Sequence, residues 1–244
     1  MPLLAAQGLT KLFGRLVALD HVDLAIEAGE VVGLIGPNGA GKSTLVNLLS
    51  GFESPSEGAV AFAGRALDAL GAPAIARLGL ARTFQIAQAF PALTVRQNVA
   101  VPALFRGAPA PSVRAALREA DHLLESVGLG PKAALPAGAL TTPDLRRLEL
   151  AKALALQPRL MLLDEVMAGL TPAEVDAAMA LLREVNARGI ALLVIEHVLR
   201  AVMGLSSRVV VLHHGRKIAE GPPARVTADP AVIEAYLGPG PASR

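Results

Sequence analysis

Gly36-Pro37-Asn38-Gly39-Ala40-Gly41-Lys42-Ser43-Thr44 follows the apolar run Glu-Val-Val-Gly-Leu-Ile at 30–35, and it decides how the rest of the chain is read. Gly36 and Gly41 stand at the spacing of a phosphate-binding loop, and Lys42 and Ser43 complete the pattern. The residue types follow from the chemistry. Glycines let successive backbone N–H groups curl around an anion with no Cβ in the way. Lys42 reaches the terminal phosphates, and the Ser43 hydroxyl takes a place on Mg²⁺. A helix expected from about Gly41 to Ser50 points its positive end at the same anion.

Outward from this loop the chain alternates strand and helix patterns. Residues 21–26, 30–35 and 56–65 read as strands, and 78–85 as a strand ending at Gln85. From about 86 to 155 the periodicity turns helical, with Thr94 and Ser112 as expected helix caps and a stop at Gly128. Residues 159–165 and 190–197 read as buried strands on either side of a capped helix that ends at Gly189. Two further strands meet at His214–Gly215, and 230–238 reads as a short amphipathic helix. The expected fold is α/β, with a parallel sheet core interrupted by a helical insertion. There is no internal repeat.

Composition narrows the function classes. A chain of 244 residues buries a large core in one or two domains. The net charge of +2 implies no strong attraction to nucleic acid, and none is expected as a partner. The absence of cysteine excludes disulfides, thiolate catalysis and zinc–thiolate sites, and fits a reducing compartment. The amino terminus lacks the basic and long apolar regions of a secretory signal. No uncharged apolar run approaches the roughly 20 residues needed to cross a bilayer. The mean hydropathy of +0.47 is nevertheless high, as expected of a sheet covered on both faces and of a protein that leans on a membrane partner.

A second nucleotide signal is Leu160-Met161-Leu162-Leu163-Asp164-Glu165. Four apolar residues place Asp164 at the end of a buried strand, where an open α/β sheet binds its ligand. A carboxylate there holds Mg²⁺, and Glu165 stands next to it to polarise an attacking water.

Taken in order, the loop at 36–44, Gln85, Arg-Arg-Leu-Glu-Leu-Ala-Lys-Ala-Leu at 146–154, Asp164-Glu165 and His197 resemble the nucleotide-binding subunit of an ABC transporter over nearly the whole chain. The resemblance implies a P-loop NTPase, RecA-like core with an antiparallel β subdomain, residues 1–85 and 156–244, and an inserted α-helical subdomain, residues 86–155. It implies ATP and Mg²⁺ as cofactors. Gln85 would join Ser43 and Asp164 on the metal and link the nucleotide to the helical subdomain. His197 would contact the γ-phosphate, and Phe13 would stack on adenine. The stretches at 164–175, 195–215 and 221–238 resemble the ATPases of hydrophobic and branched-chain amino-acid uptake systems, and those of urea and short-chain amide importers. Permease subunits, an extracytoplasmic solute-binding protein and a second ATPase, or a second copy of this chain, are the implied partners, with the chain at the cytoplasmic face of the cell membrane. The exposed stretch 84–100 after Gln85 is the expected permease contact.

One segment departs from that pattern. The family's signature loop runs Leu-Ser-Gly-Gly-Gln, and here the same register holds Leu140-Thr141-Thr142-Pro143-Asp144. In the family this loop touches the γ-phosphate bound to the opposite subunit. Thr141 keeps a hydroxyl, Thr142 and Pro143 add bulk, and Pro143 removes an N–H donor. Asp144 brings a negative charge; at about 5 Å and an effective dielectric of about 20, a like-charge pair costs roughly 3 kcal/mol. The same residues also make a good helix start, with Thr142 as N-cap, Pro143 first and Asp144 in the first turn. Thr171 stands where the family has Asp or Asn. The expectation is an ATPase working as a heterodimer with one weakened site. The alternative is a catalytically weakened cassette that mainly binds ATP and scaffolds a partner.

Overall fold

A computed structural model describes residues 1–84, 88–107 and 111–237. Two long strands open the chain, β1 (Leu4–Phe13) and β2 (Leu16–Ile26), then β3 (Val31–Ile35) leads through the glycine loop into α1 (Lys42–Leu49). There follow β4 (Glu57–Phe62), β5 (Arg65–Ala66), α2 (Ala72–Arg77) and β6 (Leu80–Arg82). Three longer helices come next: α3 (Val95–Phe105), α4 (Val113–Ser126) and α5 (Thr142–Leu154). The chain returns through β7 (Leu160–Asp164), α6 (Pro172–Ala187), β8 (Ala191–Ile195) and α7 (Leu199–Leu205). It closes with β9 (Arg208–His213), β10 (Arg216–Gly221), α8 (Pro223–Thr227) and α9 (Pro230–Leu237).

These strands form two sheets. One is antiparallel, in the order β2-β1-β4-β5. The other runs β10-β9-β3-β8-β7-β6, with β9, β3, β8, β7 and β6 mutually parallel and β10 antiparallel at one edge. All five residues of β3, β7 and β8 are buried, as continuous apolar strands covered on both faces must be. The α/β reading and the strands at 30–35, 159–165 and 190–197 therefore hold. The sequence pattern did not resolve β1 and β2 as strands of 10 and 11 residues. Their register shifts at several points, which breaks the period-2 alternation that pattern reading depends on. The short helices α2 and α7 were also missed, being too brief to show a helical period.

The expected caps at Thr94 and Ser112 form. Thr94 and Gln97 exchange side-chain and backbone hydrogen bonds in a capping box, and Ser112 Oγ accepts from Ala115 N–H. Gly128 takes a left-handed φ of 74° just past the end of α4. One boundary is corrected: α5 begins at Thr142 with Thr141 as its N-cap, one residue earlier than expected.

Gly33 carries a specific packing constraint. A Cβ there would collide with Val202 Cγ1 and come within 2.8 Å of Ser206 Oγ, so β3 lies directly against α7 and the turn that follows it. Gly33→Ala should lower the free energy of unfolding by about 1–3 kcal/mol through overpacking. Urea denaturation of the full chain measures it, and an unchanged midpoint would contradict the close approach.

Candidate nucleotide site

The loop after β3 is built so that its backbone curls. Gly36, Gly39 and Gly41 have φ of 154°, 78° and 102°, a region open to glycine and strained for other residues. At Gly36 a Cβ would strike the carbonyl of Leu212, and at Gly41 it would sit 2.7 Å from the carbonyl of Ala18. The cradle is thus pressed between β2 and the end of β9 and has no room for side chains on those faces. Ala40 is buried, its carbonyl accepts from Gly215 N–H, and Pro37, Asn38 and Gly39 line the more open side. Gly41 is the N-cap of α1, and its carbonyl accepts from Leu45 N–H.

Lys42 is buried and donates from Nζ to the carbonyls of Gly36 at 2.6 Å and Pro37 at 3.0 Å, which folds the ammonium over the loop. Desolvation pulls its pKa below that of a free lysine, while the charges of Glu165 and Asp164 oppose the shift. An anion with several oxygens satisfies such an ammonium better than two carbonyls do. Ser43 is exposed beside it, and Thr44 is half-buried.

Asp164 ends β7 and is almost fully buried. Its backbone N–H bonds to Thr83 Oγ1 at 3.1 Å, and its Oδ2 accepts from Arg82 Nη2 at 3.3 Å. Burial raises its pKa, Arg82 opposes and Glu165 adds to the rise. Arg82 itself donates to Asn47 Oδ1 at 2.7 Å and lies over the rings of Phe52 and Phe84, 5.4 and 5.1 Å from their centroids. Arg82 and Thr83 are site residues the sequence reading missed; they lie just before the Gln85 position and reach Asp164 only through the β6–β7 pairing. Gln85 lies outside the described residues.

Glu165 has a left-handed φ of 52°, uncommon for a side chain of this size. Its Oε1 is 2.9 Å from His197 Nε2, so the expected water-polarising carboxylate and the expected phosphate contact meet in one hydrogen-bonded pair. Phe13 is half-exposed at the tip of the β1–β2 hairpin, opposite Leu16, with Lys11 Nζ 5.0 Å from its ring centre. The hairpin abuts the glycine loop at Ala18. The loop cradle and the buried acid at Asp164 fit a nucleotide with a divalent cation; Ser43 and Asp164 supply the hard oxygen donors such a cation takes.

The segment 140–144 differs from its sequence reading in one respect. Asp144 is buried, pairs with Lys132 Nζ and accepts from Thr141 Oγ1 at 2.8 Å. Burial alone would raise its pKa, but the Lys132 and Thr141 bonds outweigh that and hold it below the usual carboxylate value. Its charge is therefore neutralised within the subunit, and the repulsion expected from it is largely removed. The bulk and missing donor of Pro143 remain, and the Thr141 hydroxyl is turned to Asp144. Thr171 caps α6 in a capping box with Glu174.

Residues 19–168 match the ABC transporter family model. The chain belongs to the ABC transporter family. A second model, described as the branched-chain amino acid ATP-binding cassette transporter, matches residues 216–238 of the cassette. The cassette is 39% identical over 251 residues to the high-affinity branched-chain amino acid transport ATP-binding protein BraF of Pseudomonas aeruginosa, covering 97% of this chain and 98% of that one. It is 40% identical over 250 residues to LivG of Escherichia coli, a protein of the same description, with the same coverage. Among solved structures it is similar to the ADP conformation of MJ1267, an ATP-binding cassette of an ABC transporter, with a TM-score of 0.87 and 31% identity over 98% of this chain and all of that one. The P-loop NTPase fold and the assignment as an ABC-type ATPase follow.

A buried acid next to the Glu165–His197 pair gives the cassette a pH dependence. Glu196 is 2% exposed, and burial, with the nearby charge of Glu165, raises its pKa to about 7; hydrogen bonds from Met167 and His197 N–H groups and the charge of Arg146 pull the other way. The folded state therefore holds a proton that the unfolded chain releases near pH 4.5, so stability falls as pH rises from there to about 7. The loss is at most on the order of 3 kcal/mol. Glu196→Gln should remove it, so that its melting temperature gains on wild type between pH 5 and pH 8. A constant difference between the two across that range would refute the shift.

Proposed function

We propose that this cassette energises uptake of branched-chain or related hydrophobic amino acids, or of a small amide such as urea, from the cytoplasmic face of the cell membrane. The observation that carries the reading is the meeting of the glycine cradle, Asp164 and the Glu165–His197 pair at one edge of the sheet, in a chain that matches BraF and LivG over 98% of their length. Among the described residues no helix is long and apolar enough to cross a membrane.

ATP is gripped by the backbone N–H groups of 36–44 and by Lys42, with the adenine on Phe13. Mg²⁺, held by Ser43 and Asp164 together with Gln85, would neutralise charge on the phosphate oxygens. Glu165 orients the attacking water, and His197 steadies the γ-phosphate. Positioning and charge stabilisation supply most of the rate, because phosphoryl transfer needs little covalent help from the protein. In the complex reconstituted with its permease, Lys42→Ala should cut turnover by roughly 10²-fold or more. Turnover unaffected by Lys42→Ala would favour the alternative cassette that only binds ATP and scaffolds its partner. Uptake of labelled leucine, with urea as competitor, separates the solute classes, and uptake of neither would remove this transport reading.

We assign permease docking to the neighbourhood of the loop before α3. Phe90 is half-exposed, and its backbone is held on both sides by the buried Asn98: Phe90 N–H donates to Asn98 Oδ1 at 2.8 Å, and Asn98 Nδ2 donates to the Phe90 carbonyl at 3.0 Å. A fixed backbone presenting an exposed aromatic suits a docking anchor. Phe90→Asp should release the permease on co-purification while ATP binding stays within twofold of wild type. Loss of both together would count against the assignment.

The 140–144 loop supports a heterodimer in which this chain's own site receives an intact loop from a second ATPase and returns a weakened one. The weakening rests on Pro143, which lacks a donor, rather than on the charge of Asp144. Glu165→Gln should dimerise on ATP with that partner and stay monomeric alone; equally tight self-association would overturn the asymmetry.

A further inference from the structure

Glu196 follows β8 directly, 2% exposed, beside a second acid. Nothing in packing asks for a carboxylate here. Leucine or methionine would fill the space and avoid the desolvation that burying an acid entails. Its contacts give the reason. Glu196 Oε1 accepts from the backbone N–H of Met167 at 2.7 Å, two residues past Glu165, and the backbone N–H of His197 also bonds to the carboxyl. Met167 is 1% exposed and part of the apolar core, so no water reaches its N–H, and a buried donor must be paired.

The bonds close a circuit. Glu165 N–H donates to the Ile195 carbonyl at 2.9 Å, fixing the near side of the turn that carries Glu165 in its left-handed conformation. The Met167 bond to Glu196 fixes the far side. His197 follows Glu196 in the chain and returns through Nε2 to Glu165 Oε1 at 2.9 Å. Of the five residues in it, only Glu196 uses a buried side chain to join two backbone segments.

The geometry points to Glu196 as the positioning residue of ATP hydrolysis, holding the turn after β7 and the turn after β8 together so that Glu165 and His197 meet. This rests on the ATPase assignment and adds a residue that touches neither nucleotide nor water. Glu165 and Arg146 are the charged groups that act on Glu196, and neither substitutes for its contact to Met167.

Three variants of the full chain, assembled with its permease, test the role. Glu196→Leu removes the acceptor, and Glu196→Asp keeps an acid but is one methylene too short to reach Met167 N–H. Both should lower turnover by roughly tenfold to a hundredfold, the scale of a misplaced catalytic group, while affinity for ATP stays within twofold. Glu196→Gln keeps an acceptor oxygen of the same reach and should recover turnover to within about threefold. Hydrogen exchange at the Met167 amide is the readout independent of turnover. It should be slow in wild type and Glu196→Gln and fast in the other two. If Glu196→Leu does not fold, Glu196→Asp decides. Wild-type turnover in Glu196→Asp, failure of Glu196→Gln to recover it, or loss of ATP affinity in parallel with turnover would each overturn the role. A wild-type complex that shows the exchange pattern but no turnover would remove the ATPase assignment, and the proposal with it.

Discussion

The backbone ladder of three parallel strands, β3, β8 and β7, is the constraint on which the rest depends. Leu34 stands opposite Ile195, and Ile195 opposite Asp164, so the three strands end at one level. Each continues directly into a segment of the candidate site: the glycine loop after β3, Asp164–Glu165 at the end of β7, and Glu196–His197 after β8. Side chains alternate faces along a strand, and a slip of one residue in either pairing would turn every side chain of that strand to the other face. The ladder is hydrogen-bonded throughout and buried on both faces, so register is strongly specified.

Charge at this edge is arranged against solvation. Lys42, Asp164 and Glu196 are all buried, and desolvation shifts the pKa of each toward its neutral form. Groups so placed interact strongly with a multiply charged ligand, because the medium around them screens little. Arg82 ties this chemistry to the scaffold. It spans α1, the rings of Phe52 and Phe84, and Asp164, and so links the strand that leads to position 85 with the carboxylate at the end of β7.

The 140–144 loop shows how local pairing alters the meaning of a residue. Read along the chain, Asp144 is a negative charge set against a phosphate. In the fold, Lys132 comes from the turn after α4 and neutralises it, and Thr141 closes the first turn of α5. What is left unusual about the loop is covalent: Pro143 has no N–H to offer.

The sequence by itself determined the phosphate-loop pattern, the buried strands that flank it and the caps at Thr94 and Ser112, and it singled out Lys42, Asp164, Glu165 and His197 as candidate site residues. These are legible because each is a local pattern, in which glycine spacing, apolar runs and cap residues act within a few positions of one another. The bonds of Glu196 to Met167, of Arg82 to Asp164 and of Lys132 to Asp144 join residues 29, 82 and 12 positions apart. No periodicity announces such pairs; each exists because strand register and helix packing bring two segments together. Only the tertiary structure decided which acids are neutralised, which are held apart from solvent, and which carboxylate meets His197, because burial and pairing are properties of the folded neighbourhood and not of the residue.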